Sequence, residues 1–323
     1  MARILAWFSQ KVTATRMPET IVVTGGAGFI GSHVVDLLVG GHEVHVIDDL
    51  STGDLANLDP RAKLHQLDIR SAEVAPLLAG IRPAAVVHLA AQIDVRRSIV
   101  QPAHDADINL VGGLNVLAAA AAAGVRRFVF ASSAAVYGPP AVLPMPEDAV
   151  LSPSSPYGIA KFAFEHYLRI YRAISGLSPA ILRFANVYGP RQTVKGEAGV
   201  VAIFLSKILA GEAVRINGDG GQTRDYVYVG DVARAVAAAV ENKFEGTCNV
   251  STGRETSVNE IFEQLSRLAG GGSEPIAGLA VPNEDRRCSL DPARAAAKLG
   301  WSAEVDVAEG LRRAYDYAAK AKK

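Results

Sequence analysis

Tyr157 and Lys161 stand four residues apart in the stretch SSPYGIAK, so on a helix they share one face. An ammonium beside a phenol lowers the phenol pKa from about 10 toward neutrality. The resulting phenolate is a general base for a hydroxyl proton, of use when a hydride leaves the same carbon for an acceptor nearby. Upstream, SSAAVYG (132–138) follows an apolar run and carries two serine hydroxyls, Ser132 and Ser133, but no carboxylate. The residues that follow, Ala134 and Ala135, cannot transfer protons.

The hydride acceptor is read from the N-terminal half. TGGAGFIGSH places Gly25, Gly28 and Gly31 in G-x-x-G-x-x-G spacing, directly after one strand pattern and opening a helix. Small residues let the backbone approach a pyrophosphate, and the helix N-terminus supplies amide donors and a positive dipole. The next strand pattern ends at Asp48 in IDDLSTG, seventeen residues beyond Gly31. A carboxylate there accepts from ribose hydroxyls and repels a 2′-phosphate, which favours NAD over NADP. Asp68 and Ile69, at the end of a third strand pattern, are expected to flank the adenine.

The elements that must hold these residues follow from periodicity. Strands are expected at 20–25, 43–48, 63–68, 84–90, 127–132 and 179–184, with helices near 29–40, 104–123 and 157–174. Alternating strand and helix means an α/β protein with a doubly wound parallel sheet of the Rossmann type, buried on both faces. Residues 19–184 form that domain, with part of 222–250 returning to it. Residues 185–323 mostly form a smaller α/β substrate lobe, with helices at 199–210, 257–269 and 307–319, packed at the carboxyl edge where ligands bind in such sheets. Residues 1–18 read as an extension, disordered or preceding the true start, since Met17 lies just before the first strand.

The bulk properties exclude several classes. The 323 residues carry 33 basic and 33 acidic side chains, and the apolar fraction of 49% is that of a globular protein. No block of like charge marks a nucleic-acid or membrane surface, and ILAWF is too short to span a bilayer. The two cysteines, Cys248 and Cys288, have no metal or redox spacing, so no metal is expected and a reducing, cytoplasmic setting is.

TGGAGFIGSH, DDLSTG, HLAAQ, SSAAVYG, SPYGIAK, LRFANVYGPRQ and DGGQTRDYVYVGDVA, in this order, resemble the extended short-chain dehydrogenases/reductases, most closely the NAD-dependent UDP-galactose 4-epimerases. The resemblance covers nearly the whole chain from residue 19. It implies that Ser133 bonds the sugar O4 and relays its proton to Tyr157, while Lys161 also holds the nicotinamide ribose. It implies NAD contacts from Gly25, Gly28, Phe29, Ile30 and Gly31, and from Asp48, Asp49, Leu50, Ser51, Thr52 and Gly53. Further cofactor contacts are implied for Asp68, Ile69, Leu89, Ala90, Ala91, Gln92, Ser132 and Phe184, with Asn109 supporting the active-site helix. For a UDP-hexose it implies Asn186, Val200, Val201, Phe204, Arg215, Arg224, Arg287 and Cys288. The implied cycle is redox-neutral: a 4-keto sugar forms, swings about its diphosphate linkage and is reduced on its other face. A homodimer through the Tyr157 helix and the one before it is implied as well.

Within this family, dehydratases carry an Asp-Glu pair after the Ser/Thr, because eliminating water needs both an acid and a base. Ala134 and Ala135 therefore disfavour dehydration. Two departures stand out. Val281 takes the place of a usual phosphate-binding arginine, so either Arg286 or Arg287 substitutes or the nucleotide grip differs. Cys288 falls at the position that contacts the hexose, where a small residue leaves room for 2-acetamido sugars. An NAD-dependent epimerase or reductase for a UDP-uronic acid or dTDP-sugar, and a non-catalytic NAD-binding regulator, are the alternative readings.

Overall fold

The computed structural model describes residues 18–193, 199–242, 244–272, 274–280 and 285–321. The expectations for residues 1–17 and for Val281 lie outside the described residues. Six of the strands are β1 (Thr20–Thr24), β2 (Glu43–Asp48), β3 (Lys63–Gln66), β4 (Ala85–His88), β5 (Arg127–Ser133) and β6 (Ser178–Phe184). Beyond them lie β7 (Asn186–Tyr188), β8 (Arg215–Asn217), β9 (Thr223–Arg224), β10 (Tyr226–Tyr228), β11 (Gly246–Val250), β12 (Thr256–Ser257) and β13 (Ile276–Gly278). The main sheet has seven strands in the order β11-β6-β5-β4-β1-β2-β3, every neighbouring pair parallel. All six expected sheet strands are present. The seventh, β11, comes from the returning segment.

The helices are α1 (Phe29–Leu38), α2 (Val74–Ile81), α3 (Val95–Val100), α4 (Pro102–Ala106), α5 (Gly113–Ala122), α6 (Pro156–Ser175), α7 (Val200–Ala210), α8 (Val229–Glu241), α9 (Val258–Leu268) and α10 (Val307–Ala321). One face of the sheet packs on α1 and α8, through Val34, Val35, Val232, Val236 and Val240. The other face packs on α2, α5 and α6, through Leu78, Val116, Leu117, Phe164 and Leu168. Valines and a glycine weaken the local helical signal of α8, and burial of one whole face is what sustains it.

The helix expected over 104–123 is present but not uniform. It runs as α4, a π-helical segment at Asp107–Gly112 and then α5. Such a wide turn is uncommon and concentrates at functional sites. A third core, around Tyr188, Val201, Phe204, Ile261 and Leu311, belongs to the smaller lobe.

Candidate active site

The base helix is fixed at its first turn. The Ser155 hydroxyl caps α6 by accepting from Gly158 N at 3.1 Å, and Pro156 begins the helix with its φ already suitable. A Cβ at Gly158 would lie 2.5 Å from the Ala135 carbonyl oxygen. Glycine there lets the turn bearing Tyr157 close onto the bend that follows Ser133. Tyr157 N donates to the buried Ser98 hydroxyl of α3 at 3.3 Å.

Lys161, one turn further, is buried. Its Nζ donates to Ala131 O at 3.0 Å and lies 5.7 Å from the Tyr157 ring centre and 4.9 Å from that of Phe130. Burial pulls its pKa down to about 8, and the charge of Asp105 works in the opposite direction. His88, at the end of β4, shares a 2.8 Å hydrogen bond with Thr24 Oγ1 and is enclosed by Phe128, Phe130 and Phe164. Burial, helped by the Lys161 charge, pulls its pKa to about 3, so it is neutral. Tyr157 and Lys161 thus share a face as their spacing requires. Ser133 stands half-buried at the end of β5, its hydroxyl accepting from Ala135 N at 3.2 Å.

The glycine turn is close-packed. Gly25 has φ +71°, and a Cβ there would sit 2.7 Å from Ala90 N; one on Gly31 would sit 2.0 Å from Gly25 O. The α1 N-terminus after Gly28 has no side-chain cap, so its first amides, from Phe29 and Ile30 onward, await an acceptor of another kind. Asp48 accepts from Ala27 N and Leu50 N, both at 2.9 Å, and burial raises its pKa against those bonds. Each oxygen keeps a lone pair for a further donor. Leu89 and Ala90 close the opposite wall, their amides bonded to Thr24. A carboxylate ending β2 beside an uncapped helix over glycines fits a dinucleotide. Asp49, Ser51 and Thr52 lie exposed on the loop after Asp48, with Gly53 returning against Ala27.

The remaining expected cofactor contacts lie deeper. Ser132, on the opposite face of β5 from Ser133, donates its hydroxyl to Glu165 Oε1 at 2.6 Å and is buried, so its side chain is committed to the core. Phe184 is likewise in the core. Gln92 and Asn109 face each other: Gln92 N donates to Asn109 Oδ1 and Asn109 Nδ2 to Gln92 O, both at 2.8 Å. Their amides also converge on Asp105. Asp68 is taken by Arg70, and Ile69 is buried beneath Gly112.

In the smaller lobe, Val201 and Phe204 point into its core, because α7 buries that face against Phe262 and Ile261; only Val200 is part-exposed. Asn186 is exposed on β7, held by Asn186 N to Asp225 O at 2.9 Å. The buried Asp225 accepts from Thr252, Gly253 and Leu290, and so ties the Arg224 strand to the segment after Cys288. Arg224 is half-buried, and Arg215 is exposed at the start of β8. Arg287 pairs with Glu255 and Arg286 with Asp219, and both line a cavity of about 440 Å³ with residues 140–143. Burial raises the Cys288 thiol to about 11, so it is a neutral, small, half-buried group.

Sequence reasoning missed the polar layer beneath the serines. Glu165, four residues after Lys161, receives Arg183 Nε at 3.0 Å and Nη2 at 2.7 Å. Arg183 Nη1 in turn donates to Tyr137 Oη at 2.9 Å. Asp105, four residues before Asn109, was missed as well. Both carry a four-residue spacing that a helical reading could have found.

Parallel sheet, glycine turn and Tyr-Lys helix define a dinucleotide-dependent enzyme of the extended short-chain type. The chain belongs to the NAD dependent epimerase/dehydratase family, which it matches over residues 21–251. It is 44% identical, with a TM-score of 0.92, to a Thermotoga maritima UDP-glucose 4-epimerase solved with UDP-glucose, over 94% of this chain and 100% of that one. A Thermus thermophilus UDP-glucose 4-epimerase solved with NAD is 42% identical at a TM-score of 0.88, over 93% and 98% of the two chains. A UDP-N-acetylglucosamine 4-epimerase from Methanobrevibacter ruminantium, in complex with UDP-N-acetylmuramic acid, is 31% identical at 0.90, over 95% and 100%.

Proposed function

We propose that the protein interconverts UDP-hexoses at C4, UDP-glucose with UDP-galactose, using NAD that it keeps through the cycle. The observation that carries this reading is a Tyr157–Lys161 pair packed against a bend whose next residues, Ala134 and Ala135, offer no proton. Such a site can oxidise and reduce one carbon but has no acid with which to expel water. The cradle of Gly25, Gly28 and Gly31 would hold the pyrophosphate, Asp48 the adenosine ribose, and Lys161 the nicotinamide ribose. The chemistry NAD supplies when bound is reversible two-electron oxidation of the sugar carbon.

Tyr157 Oη takes the O4 proton and returns it after the sugar has turned over. Lys161, as an ammonium, stabilises the phenolate. The Ser133 hydroxyl bonds O4 and bridges it to Tyr157. Asn186 and Arg224 would grip the diphosphate, with Arg287 and Arg286 at the rim. A grip on the nucleotide with few fixed contacts to the hexose leaves the sugar free to turn.

Cys288 favours a second substrate set. A small neutral group beside the hexose leaves room for a 2-acetamido substituent, and one related structure is of a UDP-N-acetylglucosamine 4-epimerase. Ile159, Tyr167, Ile170 and Ile174 line an exposed apolar face of α6, flanked by Ile99 and Val100; a second copy of the chain would cover it. Among the described residues no helix is long and apolar enough to cross a membrane, and both cysteines are free.

Incubation with UDP-glucose, UDP-GlcNAc, UDP-glucuronic acid and dTDP-glucose, without added cofactor, tests this reading. UDP-galactose should appear from the first. Inactivity on all four with NAD still bound would replace it with a regulator, and net NADH formation would replace it with an oxidoreductase.

A further inference from the structure

Asp105 carries a carboxylate oxygen that no described residue satisfies. The side chain is fully buried, and its Oδ1 accepts from Gln92 Nε2 and Asn109 Nδ2, both at 2.9 Å. The equally buried Oδ2 has no hydrogen-bond partner among the described residues. Two donors on one oxygen and none on the other is a costly arrangement for an isolated buried carboxylate. It becomes sensible where a positive charge compensates it. α4, which carries Asp105, packs on α6, and the buried Lys161 of α6 is a cation whose charge acts on Asp105. The influence is mutual: Asp105 raises the Lys161 pKa against the larger effect of burial, while burial raises the Asp105 pKa and the Gln92 and Asn109 bonds, with the Lys161 charge, work to lower it.

We propose that Asp105 is a positioning residue, the buried counter-charge that keeps Lys161 an ammonium beside Tyr157. Gln92 and Asn109 clamp Oδ1, so the free oxygen stays directed by the fold rather than by solvent. The π-helical segment has a role in this clamp, since it begins two residues after Asp105 and carries Asn109. The other titratable groups around Lys161 are Tyr157 and Glu165 on its own helix and His88 on β4; His88 is neutral, the Glu165 charge is taken up by Arg183, and His104 adds a small contribution at Asp105. Asp105 is therefore the group that opposes the effect of burial on Lys161.

The proposal rests on Tyr157 acting as the base, but its test reads Lys161 directly. In protein labelled with ¹³C at lysine Cε, with the NAD it retains, the Lys161 signal is identified by its loss in Lys161→Arg. Asp105→Asn keeps the shape and the Oδ1 acceptor while removing the charge. Its Lys161 midpoint should fall by about one pH unit, and the alkaline limb of any turnover profile should move down with it. A structural role alone would scale activity at every pH and leave the midpoint in place. The same midpoint in both proteins would overturn the proposal. So would a protonated Asp105 ¹³Cγ signal at pH 7 in the wild-type protein, a measurement that stands even if the variant fails to fold. Absence of epimer with a shifted Lys161 midpoint would remove the substrate assignment and leave the counter-charge intact.

Discussion

Glu165 and Arg183 meet beneath the paired serines as a two-pronged ion pair, both side chains sealed from solvent, with the Ser132 hydroxyl bonded to the same carboxylate. The pair ties the base helix to β5 and β6 directly below Ser133. Removing one partner leaves the other charged in the core. Glu165→Gln should cost about 3–5 kcal/mol by chemical denaturation, while the joint change Glu165→Leu with Arg183→Met should recover much of it. A loss in Glu165→Gln within the noise of an ordinary surface change would refute the bracket.

Tyr157→Phe removes the phenol oxygen and little else. Turnover should fall at least about 10²-fold while the NAD content of the purified protein stays at the wild-type level. Surviving epimerisation would take Tyr157 out of the mechanism, and loss of NAD would make the residue part of the cradle instead.

Two glycines offer an internal contrast. A methyl on Gly31 meets Gly25 O at 2.0 Å, whereas one on Gly41 meets nothing within 4 Å. Gly31→Ala should lose bound NAD, read from the absorbance of denatured protein, and about 1–3 kcal/mol of stability. Gly41→Ala should stay within about 0.5 kcal/mol with its NAD intact. Equal behaviour of the two would mean that the turn yields more easily than its packing implies.

The buried His88 gives a pH signature. Its folded pKa lies near 3, below the ordinary 6.5. The unfolded chain therefore binds the extra proton first, and the neutral ring's contribution is whole above pH 6.5 and erodes as pH falls toward 3. This group alone gives a slope of up to about 1.4 kcal/mol per pH unit in that window. Replacing it in His88→Phe, among three phenylalanines, should flatten the acid side of the stability profile. An unchanged slope would mean that His88 is protonated in the fold.

Six sheet strands and the Tyr-Lys face were legible because each rests on a local period or spacing. Tyr157 and Lys161 declare themselves at four residues, and Gly31 at the mouth of a helix. What stayed hidden depends on neighbours far away in the chain. The π turn around Asn109 carries Gly112 at its end, and Asn109 within it is bonded to Gln92, seventeen residues away, a partner that no local spacing reveals. Ser132 and Ser133 look alike in sequence, and only the alternation of β5 sends one to Glu165 and leaves the other at the strand end. Val201 and Phe204, which the resemblance implies at the substrate, face the core of the smaller lobe, because packing against Phe262 turns that side of α7 inward. The orphan oxygen of Asp105 could not be seen without a fold around it.

The return of α8 and β11 to the main sheet makes the wiring of the molecule indivisible. A fragment ending at Phe184 would expose the whole edge of β6, a row of amides and carbonyls that β11 otherwise occupies, and would strip the α8 cover from one face. A scission anywhere between β6 and β11 leaves the cofactor module without its outermost strand, which is supplied from beyond position 240. Two halves severed in the intervening stretch would instead complement each other, and recovery of bound NAD on mixing them would report that the missing edge strand had been put back.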